Sequence, residues 1–152
     1  MKRFEFKLQS LLNYKKHLEE MARQEMARAA ADVNACERRI RELGEERENA
    51  VTSIEKLVED GVDAQAFNMY HGFVAALEQS ITEEWQRKVS LEKVLDEKRM
   101  VLKQRTIDKK AMERLRERRA DEFMKEMLRE EQKGLDEIAA LKTAREITNG
   151  ER

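Results

Sequence analysis

Residues 26–63 read MARAAADVNACERRIRELGEERENAVTSIEKLVEDGVD. Within this stretch Met26, Ala29, Val33, Cys36, Ile40, Leu43, Arg47, Ala50, Ile54 and Leu57 advance by alternating steps of three and four. Residues so spaced fall on one narrow stripe of an α-helix, and a stripe sustained over several heptads is the seam of a coiled coil. The seam stops at Glu59-Asp60-Gly61-Val62-Asp63. Gly61 can adopt the left-handed conformation that closes a helix, and the side-chain oxygen of Asp63 can cap the next one.

Outward from this stretch the rhythm continues on both sides. Leu8, Leu11, Leu18 and Ala22 precede it, with a slip between Ala22 and Met26 that predicts a stutter, a local unwinding that does not end the helix. After the turn, Tyr70, Val74, Leu77, Ile81, Leu91, Leu95 and Leu102 carry a second seam, into which Glu84, Lys88 and Lys98 intrude. Two seams joined by a short turn bury each other if the arms fold back. The expected fold is all-α: a long antiparallel two-helix coiled-coil hairpin forming a single domain over 1–152, with a first helix over about 4–58, a turn at 59–63 and a second helix over about 64–147. One register sets Ile54 opposite Tyr70, Ala50 opposite Val74, Leu43 opposite Ile81, Val33 opposite Leu91 and Ala29 opposite Leu95. In that register Ile40 meets Glu84, a poor match.

The arms are unequal, so Phe4 is expected near Ala120, and the end of the second helix overhangs. The overhang carries Phe123, Met127, Leu128, Leu135, Ile138 and Leu141 at helical spacing, an apolar face with no partner in the same chain.

Composition agrees with this architecture. Of 152 residues, 41% are charged and 5% aromatic, and proline is absent. A narrow seam needs few apolar residues, whereas a compact core needs many. High charge also raises disorder as a competitor, but the net charge of −1 and the periodic apolar residues argue against it. Near neutrality likewise disfavours electrostatic capture by nucleic acid or anionic lipid. Cys36 is the only cysteine, which excludes an internal disulfide and a cysteine-based metal cluster. Glu5 and Lys7 interrupt the apolar run a signal peptide requires, and no stretch approaches the ~20 apolar residues of a membrane span. A cytoplasmic protein without membrane insertion is expected.

No catalytic pattern is present: no glycine-rich phosphate loop, no metal-binding His pair, no nucleophile elbow. His17 and His71 are isolated, and Cys36 fits a seam position as a small hydrophobe. The expectation is a non-enzyme without cofactor, metal or catalytic residues. Two features point instead to partners. Over 87–119 thirteen basic residues face six acidic ones, which fits a solvated helix face or a basic end inserted into an acidic protein. A bZIP-like nucleic-acid reader fits less well, since no long zipper follows. Next to the turn, Phe67, Tyr70 and Phe73 cluster with Met69, Val74 and Leu77. A seam buries one stripe only, so Phe73 and a flank of Leu77 are expected to face outward as a docking patch, the alternative being a locally thickened core.

Three tracts together resemble the FliJ family of the bacterial flagellar type III export apparatus. They are Phe4-Glu-Phe-Lys-Leu8-Gln-Ser-Leu11-Leu12, Tyr70-His-Gly-Phe73-Val-Ala-Ala-Leu77-Glu, and Glu113-Arg-Leu115-Arg-Glu-Arg-Arg119 through Glu131-Gln-Lys-Gly-Leu135-Asp-Glu-Ile-Ala139. The resemblance implies a stalk-like hairpin whose end bearing both termini sits in the pore of a hexameric export ATPase and promotes its assembly and hydrolysis. It also implies binding to the membrane export gate and to export chaperones. Carried onto this sequence, Phe73 and Leu77 are the gate contacts, and Phe4, Arg114, Arg116, Arg118 and Arg119 lie towards the ATPase ring. Gly134 departs from a helix-favouring residue within the tail motif. The alternative from another class is an escort or holdase-type chaperone for export substrates.

Overall fold

In the computed structural model, which describes residues 3–148 in full and the backbone to Gly150, two helices account for nearly the whole chain. Helix α1 spans Gln9–Asp60 and helix α2 spans Ala64–Gly150. No strand occurs among the described residues. The chain divides into two compact units, residues 18–105 and residues 1–17 with 106–152.

The larger unit is an antiparallel coiled-coil hairpin, and its turn forms for the reasons its sequence gives. Gly61 has φ +81°, and its amide donates to the Val58 carbonyl at 3.3 Å, closing α1. Asp63 then caps α2: its Oδ1 accepts the Ala66 amide at 2.7 Å, and its carbonyl accepts the Phe67 amide at 3.1 Å. Behind the turn, Leu43, Ala50 and Leu77 are buried together with Val74 and Ile81 packed on them. Farther along, Ala29, Val33 and Leu95 form a second cluster with Met26, Ala30 and Leu91. Four of the pairs expected from the heptads, Ala50–Val74, Leu43–Ile81, Val33–Leu91 and Ala29–Leu95, thus share a cluster.

The misfit expected at Ile40 is resolved locally. Glu84 lies against Cys36, whose thiol donates to the Glu84 carbonyl at 3.3 Å and to its Oε2 at 3.4 Å. Burial, and then the neighbouring Glu84 carboxylate, push the Cys36 thiol above its usual pKa of 9.0. Other polar residues of the two seams are matched across the hairpin. Lys88 reaches Glu37 at 3.2 Å, Lys98 reaches Glu25 at 2.8 Å, and Arg47 reaches Glu78 at 2.8 Å. Donating to the Glu37 carboxylate raises the pKa of Lys88, and accepting from the Lys98 ammonium lowers the pKa of Glu25.

The expected stutter does not occur. Along α1 the inward positions are Leu12, Lys15, Glu19, Ala22 and Met26, which keeps the three-four alternation in phase. Leu12 is fully buried, whereas Leu8 and Leu11 stay exposed. The apolar spacing places Leu8, Leu11 and Leu18 in the seam, but two charged residues hold it. Glu19 is only 5% exposed and takes the Arg23 guanidinium at 2.8 Å, one turn along the same helix. Lys15, half-buried, faces Asp108 at 3.8 Å. A charge with a partner at this distance can occupy a seam position that an unpaired one could not.

In the smaller unit, α1 begins at Gln9 rather than near residue 4, and residues 3–6 are not helical. The Phe4 ring lies 5.7 Å from that of Phe123, close to its expected place beside Ala120. Helix α2 continues through Gly134 without interruption, and Leu128, Leu135, Ile138 and Leu141 are exposed along it. No helix among the described residues is long and apolar enough to cross a membrane.

Two outcomes are expected. Leu43→Ala empties a seam position buried on both sides and should lower stability by about 2–4 kcal/mol in urea or thermal melts followed by circular dichroism; exposed Met100 truncated to Ala is the control that should change little. Cys36 should resist iodoacetamide at pH 8 while the chain is folded and react readily in denaturant, because both burial and its raised pKa suppress the thiolate.

Candidate functional site

Among the described residues, the side chains that could act on something else lie on surfaces. In the hairpin unit the surface of interest begins at the turn. The N-cap at Asp63 starts α2, and with Tyr70, Val74 and Leu77 turned to the seam, Met69 and Phe73 come to its flank and Phe67 stays exposed at its start. Phe73 is 52% exposed, and Phe67 and Met69 are also exposed. Phe67 packs at 6.0 Å from His71, which steadies the start of this patch. Leu77 does not share that exposure. At 6% it is a core residue against Leu43 and Ala50, because it falls three residues after Val74 and directly continues the seam. Of the two residues expected at the patch, then, Phe73 supplies surface and Leu77 supplies the support beneath it.

Sequence reading missed a second exposed aromatic. Trp85 is half exposed, with the Lys88 ammonium 4.9 Å from its ring centroid and Val89 exposed one turn on. Its sequence signal is a lone tryptophan in a charged stretch, where the polar seam provides no apolar spacing to mark it. The cation–π contact and the Lys88–Glu37 pair hold this region of α2 together from two sides.

In the smaller unit the N-terminal segment and α2 form an open concavity of about 680 Å³, lined by Phe4, Phe6, Leu8, Leu115, Arg119 and Phe123 among others. Its formation explains the late start of α1. Residues two apart in a helix lie on nearly opposite faces, so a helical segment could not bring both Phe4 and Phe6 to one cleft. Outside the helix, both line it. The chain enters the helix through the Gln9 amide donating to the Phe6 carbonyl at 3.0 Å and the Leu12 amide donating to the Leu8 carbonyl at 3.0 Å. Among the predicted basic residues, Arg114, Arg116 and Arg118 are exposed, and Arg119 is exposed beside the cleft with Glu122 at 3.1 Å. Phe4 is half-buried on Phe123. Phe4 and Arg119 are therefore brought to one place, while the other three arginines spread around the helix.

The model of the flagellar FliJ protein family matches residues 4–147. This chain belongs to the FliJ family. It is accordingly a component of flagellar type III protein export. No curated protein matches it. Among solved structures, one described as a YscO homologue from Chlamydia trachomatis is similar, with 18% identity, a TM-score of 0.63, and 91% of this chain and 94% of that chain covered. At that identity the likeness speaks for the fold, which the two share along nearly their whole length. The described surfaces are an aromatic patch near the turn in the larger unit and a cleft with Arg119 beside it in the smaller one.

The patch and its support should separate in melting experiments. Phe73→Ala is expected to shift stability by no more than about 0.5 kcal/mol, as for other exposed sites. Leu77→Ala should cost about 2–4 kcal/mol, as for other buried leucines. Equal losses would place Phe73 in the core.

Proposed function

We propose that this FliJ-family chain is a non-enzymatic stalk and coupling protein of the cytoplasmic side of the flagellar export apparatus. It binds the hexameric export ATPase, promotes its assembly and activity, and links it to the membrane export gate. The observation that carries this reading is the family match over residues 4–147. The presence of one such surface in each unit supports it, since a coupling protein needs one for each partner. Phe73 is the gate-contacting side chain, with Leu77 holding its helix against α1. Phe4, Arg114, Arg116, Arg118 and Arg119 meet the ATPase ring, the arginines by pairing with carboxylates of the ring and Phe4 through the cleft it shapes.

Such a protein acts by differential binding alone. A two-helix end inside a ring of like subunits touches some subunits and not others, and each contact favours one conformation of the subunit it touches. The coupling is reciprocal: if the chain promotes the hydrolytic state, that state binds the chain more tightly. The chain itself supplies no nucleotide site.

A second reading is favoured by the exposed Leu128, Leu135, Ile138 and Leu141. An apolar helix face is also what an escort for unfolded export substrates or their chaperones presents. Steady-state hydrolysis by the purified flagellar export ATPase of the same organism decides between the two. Stimulation that saturates near one chain per hexamer, and falls when Arg114, Arg116, Arg118 and Arg119 are changed together to Ser, is the expected result. No stimulation of an active ATPase, with binding instead at one chain per export client, would replace the stalk by the escort.

A further inference from the structure

Along the end of α2, a stripe distinct from the one that packs on the N-terminal segment runs through Asp121, Met124, Leu128, Glu131, Leu135, Ile138, Lys142 and Arg145. The steps alternate three and four, and every one of these residues is exposed. Leu128 is 60%, Leu135 62% and Ile138 64% exposed, so a regular coiled-coil seam is left open to water. The neighbouring stripe of Phe123 and Met127 is half-buried and is not available in the same way.

We propose that this seam pairs with the same seam of a second copy of the chain, antiparallel and centred near residue 133. The charges select both the partner and the direction. In a parallel pair each residue would face its own copy, setting Glu131 on Glu131, Lys142 on Lys142 and Arg145 on Arg145, with Asp121 on Asp121 at the other end. Like charges directly opposed are destabilising. Reversing one helix removes every one of these clashes. Leu128 then meets Ile138 of the second copy, Glu131 meets Leu135, Met124 meets Lys142, and Asp121 meets Arg145 with opposite charge. Because the arrangement is two-fold, each of these contacts forms twice. On the flank, Lys125 and Glu146 of opposite chains approach as a further complementary pair. The long stems of Lys142 and Glu131 lie along the apolar side chains opposite them while their charged ends reach solvent.

Roughly a dozen contact positions per chain fall short of the 20–30 of a standard stable interface. The dimer is therefore concentration-dependent, assembling in the micromolar range and above.

The full chain is tested by sedimentation equilibrium from about 1 µM to 1 mM. A monomer–dimer equilibrium is expected, abolished by Leu135→Asp with Ile138→Asp, whose positions are exposed and whose helicity can be verified by circular dichroism. Direction is read by disulfide trapping in a Cys36→Ser background. Chains carrying Leu128→Cys should link to chains carrying Ile138→Cys at least tenfold faster than either links to itself. Asp121→Arg should weaken the dimer, and Asp121→Arg combined with Arg145→Asp should restore it. A monomer throughout the concentration range overturns the proposal. So does a dimer untouched by the double Asp variant, or one in which Leu128→Cys links preferentially to its own kind.

Discussion

Everything in the hairpin depends on one stripe of α1 that must be covered by α2. The stripe runs in unbroken three-four steps from Leu12 to Leu57 and includes smaller side chains at Ala22, Ala29, Val33, Cys36 and Ala50. Larger residues of α2, Leu77, Leu91 and Leu95, fill against them. Apolar burial of this kind is non-directional and would tolerate a slip by a heptad. The ion pairs across the seam are not so tolerant. Arg47–Glu78, Lys88–Glu37 and Lys98–Glu25 are each correct in one register only, and the Cys36 thiol on Glu84 adds a fourth marker. Exposed pairs contribute little stability each. Their role is to make the wrong registers worse, as charged and polar positions do in coiled coils.

The same constraint separates support from surface. A two-helix seam has room for one stripe, so each residue beside it faces outward whatever its chemistry. Tyr70, Val74 and Leu77 use up the inward positions after the turn, and Phe73 is left on the flank. The exposed aromatic patch is thus a geometric consequence of a narrow core meeting an apolar sequence. Trp85 arises in the same way, in a part of α2 where the inward positions are Glu84 and Lys88. Surface that costs solvation and is nonetheless present is what a protein–protein contact uses.

The terminal unit follows a different logic. There α1 gives up its first residues, and Phe4 and Phe6 leave the helix to line a cleft against Leu115 and Phe123. The unit gains aromatic contact and a concave surface beside Arg119. Past the cleft α2 goes on alone, which leaves a seam-like stripe exposed.

Heptad spacing, the Gly61–Asp63 turn and the lack of proline determined by themselves that the chain is two helices folded back, and very nearly in which register. These are local and periodic properties, and a periodic stripe has one way to be buried. The overhanging end was legible too, because the arm lengths follow from the position of the turn. Three matters were decided only in three dimensions. Glu19 and Lys15 occupy the seam in place of leucines, since Arg23 and Asp108 come within reach of them. Residues 3–6 abandon the helix, since a cleft on α2 offers both phenylalanines a place. Leu77 is buried throughout, without the outward flank expected beside Phe73, since Leu43 and Ala50 of α1 close over it. The Lys15–Asp108 pair, the phenylalanine cleft and the covering of Leu77 rest on contacts between residues far apart in the chain, and Glu19 rests on a pair one helical turn apart, none of which the spacing of apolar residues registers.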